Sequence, residues 1–242
     1  MSAGPIAAAR WWQQPWAWMA LALATMMAGF WPSFFARLDE TDLPHLVHGV
    51  TATLWMTIAV LQAWLIRRRA VGTHRKLGRW LLVLPPIIVV SGLQMIGVML
   101  TQYSDPPPLV SFKFAYLDAL GLVLFLVGVG LAVHHARRHE VALHLRWMAC
   151  TVLIALEPAL ERLYLTLLPG LVRDFDAALY VSLFTVEAIL VVLIVRDWRA
   201  GRLSAPYPVL LAFFVTMHVT ATAVASHPGF QSLALQLSGG AG

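Results

Sequence analysis

Seven apolar runs, each about 20 residues long, recur along this chain at short intervals, and that is the length a helix needs to cross a bilayer. They fall at about 15–35, 43–66, 77–100, 110–134, 145–168, 177–195 and 207–225. The runs predict an all-α fold, a bundle of seven transmembrane helices forming a single domain over 1–242. A soluble core would not need so many long runs. Composition agrees: 60% of the 242 residues are hydrophobic and only 12% are charged, about half the usual charged share of a soluble domain. Pro85-Pro86 predicts a kink in the third span, and three consecutive prolines mark a turn between the third and fourth. No convincing internal repeat is visible, and the polar, glycine-ending tail reads as frayed.

The loop charges orient the bundle. One set of loops carries Arg67, Arg68, Arg69, Arg75, Lys76 and Arg79, then Arg137, Arg138 and Arg146, then Arg196, Arg199 and Arg202. The alternate loops carry Asp39, Glu40 and Asp42, then Asp105, then Asp174 and Asp176. Positive loops stay in the cytoplasm, so the N-terminus is expected there and the C-terminus on the exported side. The expected location is the bacterial inner membrane. The pI near 9.9 reflects these loops, with no stripe that would bind nucleic acid. A tryptophan cluster (Trp11, Trp12, Trp16, Trp18) opens the first span. Small residues from Ala22 to Ala28 raise the alternative of a secretory signal, but no small-x-small cleavage site follows them. Cys150 is the only cysteine, which excludes an intramolecular disulfide and a cysteine-based metal motif.

The second span organises the rest. His48, Trp55 and Gln62 are seven apart, so they share one helical face, and His45 lies one turn before His48. Other polar residues inside the spans need partners. Gln94, Lys113, Asp118, Glu157, Glu161, Arg162 and His218 all fall in the middle or outer half of their spans, and Glu187 falls in the inner half. An ionisable group at mid-membrane costs a few kcal/mol, so these must face the bundle interior or one another. Glu157 and Glu161 share a face, with Pro158 between them, while Arg162 points about 100° from Glu161 and is expected to meet Asp118. The expected result is an outward-opening pocket lined by His48, Asp118, Glu157, Glu161, Arg162 and His218. The plainer alternative is an Asp118–Arg162 pair and histidine hydrogen bonds that serve only packing.

A second polar group lies at the cytoplasmic edge: His74-Arg75, His134-His135, His139, and His144 with Arg146 and Trp147. Either these anchor the protein at the lipid headgroups, or His74 and His144 face each other and bind a haem or a quinone head.

The pattern His45-x-x-His48-Gly49, Trp55, Gln62, His74-Arg75-x-x-Gly78, His144-x-Arg146-Trp147-Met148 and Arg162 resembles a family of bacterial membrane proteins, the domain-of-unknown-function 2306 type. The resemblance covers about 43–168 and implies a polytopic membrane fold with no established activity. More loosely, the chain resembles b-type haem membrane proteins of the cytochrome b561 and ferric-reductase-like groups. That resemblance implies haem b held by histidines on neighbouring helices, with arginines near the propionates. The fourth span departs from it, offering Asp118 where such a bundle would want histidine, so a two-haem arrangement is not expected.

No zincin, nucleophile-elbow, P-loop or dinucleotide motif occurs. His45, His48 and His218 with a carboxylate would suit zinc or copper. The last span lacks the lysine a retinal protein would want. The leading expectation is a membrane redox or cofactor-binding protein that takes haem b or a quinol through His48 with His218, or through His74 with His144. Arg162 or Arg75 would balance charge, and Asp118 or Glu157 would handle protons. Two alternatives stand beside it. One is a proton-coupled permease with Asp118, Glu157, Glu161 and Arg162 along its path. The other is an accessory subunit that binds partner membrane proteins. Whether the chain is an enzyme stays open.

Overall fold

The computed structural model describes residues 14–103 and 107–239. Arg10, Trp11, Trp12, Asp105, Gly240 and Gly242 therefore lie outside the described residues. Among those described there is no strand, and the helices are α1 (Pro15–Phe30), α2 (Leu43–Arg67), α3 (Val71–Trp80), α4 (Leu84–Gln102), α5 (Leu109–Arg137), α6 (Val141–Leu167), α7 (Phe175–Arg199), α8 (Pro206–Ala225) and α9 (Pro228–Leu237). A single 3-10 turn, Leu81–Val83, joins α3 and α4 into one rod of 32 residues. Six segments are long and apolar enough to cross a membrane: α2, the α3–α4 rod, α5, α6, α7 and α8. This is a multi-pass helical membrane protein.

Three expectations need adjusting. The first span was read as 15–35, but α1 ends at Phe30 after 16 residues. Pro32 has no N–H to continue the ladder, and the chain turns there. Pro85 and Pro86 do not lie in a helix interior; the α-helix is interrupted just before them by the 3-10 turn. They open α4, where the first N–H groups have no intrahelical partner to lose. The tail is also not frayed over its described part. His227 Nδ1 accepts from Gly229 N at 3.1 Å to cap α9. Phe230, Ala234 and Leu235 of α9 then pack against Ile96, Leu100 and Phe112.

Helix ends follow local chemistry. Asp42 caps α2 by accepting from His45 N at 3.0 Å, and Asp174 caps α7 by accepting from Ala177 N at 2.8 Å. The helices α2, α5 and α7 each stop at a left-handed residue: Arg69 (φ 59°), His139 (φ 59°) and Gly201 (φ 63°).

The turns after α2 and α5 are copies of one another, seventy positions apart. Arg68 N bonds Trp64 O, Arg69 N bonds Ile66 O, Ala70 N bonds Leu65 O and His74 N bonds Ala70 O. In the second turn Arg138 N bonds His134 O, His139 N bonds Ala136 O, Glu140 N bonds His135 O and His144 N bonds Glu140 O. The helices around them match too. α2 packs on α4, α4 on α5 and α5 on α6, whereas α2 barely reaches α6 because α1 lies against both. Equivalent residues of the two hairpins meet in pairs: Trp55 and Phe125 pack edge to face at 5.1 Å, and His74 meets His144. Such pairing is what a local two-fold relation between two helical hairpins produces.

α6 is the centre of the core. It packs on α1, α5, α7 and α8, and Leu153, Leu156, Ala159 and Leu160 are buried within one cluster that also takes Met26, Leu179, Leu183 and Met217.

Candidate functional site

The paired histidines lie where the two hairpins turn. His144 opens the second turn of α6, and its Nδ1 bonds the Ala132 carbonyl twelve residues earlier at 2.9 Å. A carbonyl only accepts, so Nδ1 carries the proton and Nε2 keeps its lone pair. His74 is the equivalent residue. Gln62 stands in the place of Ala132, also twelve residues earlier, but His74 Nδ1 is buried without a hydrogen-bond partner. The two rings stand 6.3 Å apart, centroid to centroid, and nearly perpendicular at 84°. Gln62 Oε1 and Trp55 Nε1, on the same stripe of α2, are buried without partners. Arg75, beside His74, is exposed. On the same helix Lys76, Arg79 and Trp80 line an open cleft of about 480 Å³.

The neighbouring histidines have other work. His135 pairs with Glu140, which Arg138 also reaches at 3.2 Å. The hydrogen bonds from His135 and Arg138 hold the Glu140 carboxyl below its ordinary pKa. Arg146 makes a buried ion pair with Asp197 of α7 at 2.6 Å, so that part of the His144-x-Arg146 pattern ties α6 to α7.

At the opposite end of the bundle four of the six expected pocket residues converge. Glu157 is buried and accepts a hydrogen bond from Ser182 of α7. Glu161, 2% exposed, holds Arg162 through Oε2 at 3.3 Å, while its Oε1 has no partner. Arg162 also donates to the Pro158 carbonyl at 2.9 Å, and its guanidinium lies 4.6 Å from the centre of the Phe30 ring. Asp118 acts electrostatically on Arg162, Glu157 and Glu161. The expected direct Asp118–Arg162 pair gives way to these nearer partners, the Glu161 carboxylate and the Pro158 carbonyl one turn back.

His48 and His218 are elsewhere. His48 Nδ1 bonds the Ile88 carbonyl at 3.1 Å, with Ser91 Oγ at 3.4 Å, and its ring lies over Gly92. His218 Nδ1 pairs with Glu187 at 2.9 Å, between the rings of Phe184 and Tyr180. His45 has both ring nitrogens engaged, Nδ1 on Asp42 at 2.8 Å and Nε2 on Tyr103 at 3.3 Å. The three histidines of the metal reading thus serve three different contacts. Among the described residues, no group of three or more His, Cys, Asp or Glu side chains is placed to hold a metal ion.

Sequence reasoning missed the polar seam between α5, α7 and α8. Lys113 meets Asp176 at 2.6 Å and Tyr180 at 3.3 Å, Tyr180 bonds Thr222 at 2.7 Å, and Tyr116 bonds Thr220 at 2.8 Å. The available signal was Asp176, Tyr180 and Glu187 on one face of α7.

The chain stands apart. No family model, curated protein or solved structure matches it.

Proposed function

We propose that the chain is a membrane redox protein that takes a haem b between His74 and His144. One observation carries the reading: two equivalent imidazoles meet 6.3 Å apart where the hairpins pair, with a backbone carbonyl behind the His144 ring. A ligating histidine usually gives its other N–H to such a carbonyl, which fixes the tautomer and turns the free nitrogen inward. Two neutral imidazoles are a donor set that suits haem iron. Arg75, Lys76 and Arg79 would supply positive charge for the propionates. When bound, the haem supplies one-electron transfer. The chain's part is to orient the two rings.

The reading includes placement. It sets both histidines at the cytoplasmic edge of a bacterial inner membrane, and the positive loops support that side. It also counts α1 as a seventh crossing. Arg67 lies 5.3 Å from the centre of the Trp16 ring, at the start of α1, and Gly49 lies against Phe34, just past its end. The segment 16–34 therefore runs antiparallel to 49–67, which is about 27 Å of helix.

A reduced-minus-oxidised visible spectrum of detergent-purified protein tests the reading. His74→Ala and His144→Ala are each expected to abolish the haem bands, while His218→Ala leaves them. A colourless protein from haem-replete cells overturns it. If the colourless protein instead binds a quinol, the same two nitrogens act as O–H acceptors. A second reading, proton-coupled transport, is favoured by the buried carboxyl cluster, and proton-driven flux in vesicles tests it.

A further inference from the structure

Three carboxyls and one guanidinium share the interior of the bundle at Asp118, Glu157, Glu161 and Arg162. If all were ionised, the group would carry two uncompensated negative charges. The charges that act on the three carboxyls are one another's and that of Arg162. α1, which packs on this face of α6, brings no titratable side chain, and α7 brings the Ser182 hydroxyl. An unpaired charge out of water is costly, and a carboxyl escapes that cost by taking a proton.

The two-fold relation presents the same helix crossing a second time without these charges. At the equivalent contact in the first hairpin, His48 stands for Asp118, Ile87 for Glu157, Ser91 for Glu161 and Gly92 for Arg162. There His48 meets Ser91, the Ile88 carbonyl and Gly92. The same crossing is thus built once with a histidine, a serine and a glycine, and once with four charged groups. One further feature marks the charged copy. Glu161 is 98% buried, yet its Oε1 has no partner. A buried carboxyl oxygen without a partner is a place where a proton can be held or handed on.

We propose that Asp118, Glu157, Glu161 and Arg162 form a proton-exchange site whose three carboxyls share two protons at neutral pH, with Glu161 Oε1 as the oxygen at which a proton is gained or lost. The way in is beside Arg162. Its side chain is 32% exposed while that of Glu161 is 3% exposed, and the Phe30 ring covers the guanidinium. The proposal does not depend on the cofactor reading.

Infrared difference spectroscopy on the full chain in lipid nanodiscs tests it. The wild-type protein is expected to show the carbonyl band of protonated carboxylic acids at neutral pH. The band should fall as pH rises and shift on transfer to deuterium oxide. Asp118→Asn, Glu157→Gln and Glu161→Gln together should remove it. Arg162→Leu leaves three carboxyls without a counter-charge, so it should raise the band by about half. Phe30→Ala should quicken the deuterium shift at least several-fold. Because single changes can unfold the bundle, a fourfold variant supplies a packing-matched control: Asp118→His, Glu157→Ile, Glu161→Ser and Arg162→Gly copy the first hairpin. It should fold and lack the band. No protonated-carboxyl band in the wild type overturns the proposal. So does a band that never exchanges with deuterium, or one that sodium removes at fixed pH, which would make the site a cation site.

Discussion

Asp42 uses one carboxylate twice. It accepts from the His45 backbone N–H at 3.0 Å and from the His45 ring at 2.8 Å. Burial by itself would raise its pKa, but the His45 N–H, ring and charge outweigh burial and hold it below the ordinary 3.8. A carboxyl with a lowered folded-state pKa stabilises the fold above its ordinary pKa and loses that contribution as pH falls through the lowered value. Asp42→Ala is therefore expected to cost about 1 kcal/mol of stability at neutral pH, as the loss of a helix cap does. The difference from wild type should shrink toward zero below about pH 3. Denaturant unfolding in detergent at several pH values measures both. At this scale the sequence identified which groups were buried better than it identified their partners. Arg162 was aimed at Asp118 by helical geometry, yet a long flexible side chain takes the Pro158 carbonyl one turn back. Glu187 looked isolated, because His218 is distant in sequence and only tertiary packing joins them.

Helices α1 and α6 cross closely because Gly29 has no side chain. A Cβ there would come within 2.2 Å of the Ala159 carbonyl oxygen, a backbone atom that cannot give way. Small residues at such crossings let helix backbones approach in a membrane protein. Gly29→Ala is expected to destabilise the protein by roughly 1–3 kcal/mol, the usual range for overpacking. Gly130→Ala, on α5 with nothing within 4 Å of its Cβ, should leave stability unchanged or slightly raised. Thermal unfolding of the two variants side by side separates crowding from helix propensity. Most elements were legible, because apolar length alone marks a helix that crosses a bilayer. Their ends were less so. Pro85-Pro86 falls in the first turn of α4, where the absent N–H groups would have had no intrahelical partner. α9 was unreadable as a helix because its short apolar face means little until Ile96 and Leu100 are beside it.

The whole molecule is a paired hairpin, α2 with α3–α4 and α5 with α6, to which α1, α7, α8 and α9 are added. The repeat escaped sequence reading because few residues recur at that spacing: Arg67, Arg68, Val71 and His74 as Arg137, Arg138, Val141 and His144, and otherwise leucines that any apolar span would share. Backbone hydrogen bonds preserve what the side chains no longer do. The pairing makes a demand on topology. Two hairpins related by a two-fold axis along the membrane normal must present both turns on one side, whereas an inverted repeat would present them on opposite sides. The basic residues at both turns ask for the same thing. Cys150 is buried and the only cysteine, so single cysteines added to a Cys150→Ala background report their own positions. Arg68→Cys, Arg138→Cys and Arg202→Cys are expected to react with an impermeant thiol reagent from the cytoplasmic face. Asp39→Cys and Leu171→Cys should react from the other face. Gln14→Cys decides α1: labelling from the cytoplasm gives seven crossings, and labelling from outside gives six. Opposite labelling of Arg68→Cys and Arg138→Cys would dismantle the two-fold relation. It would also separate His74 from His144 by the thickness of the bilayer, and the proposed cofactor site would fall with it.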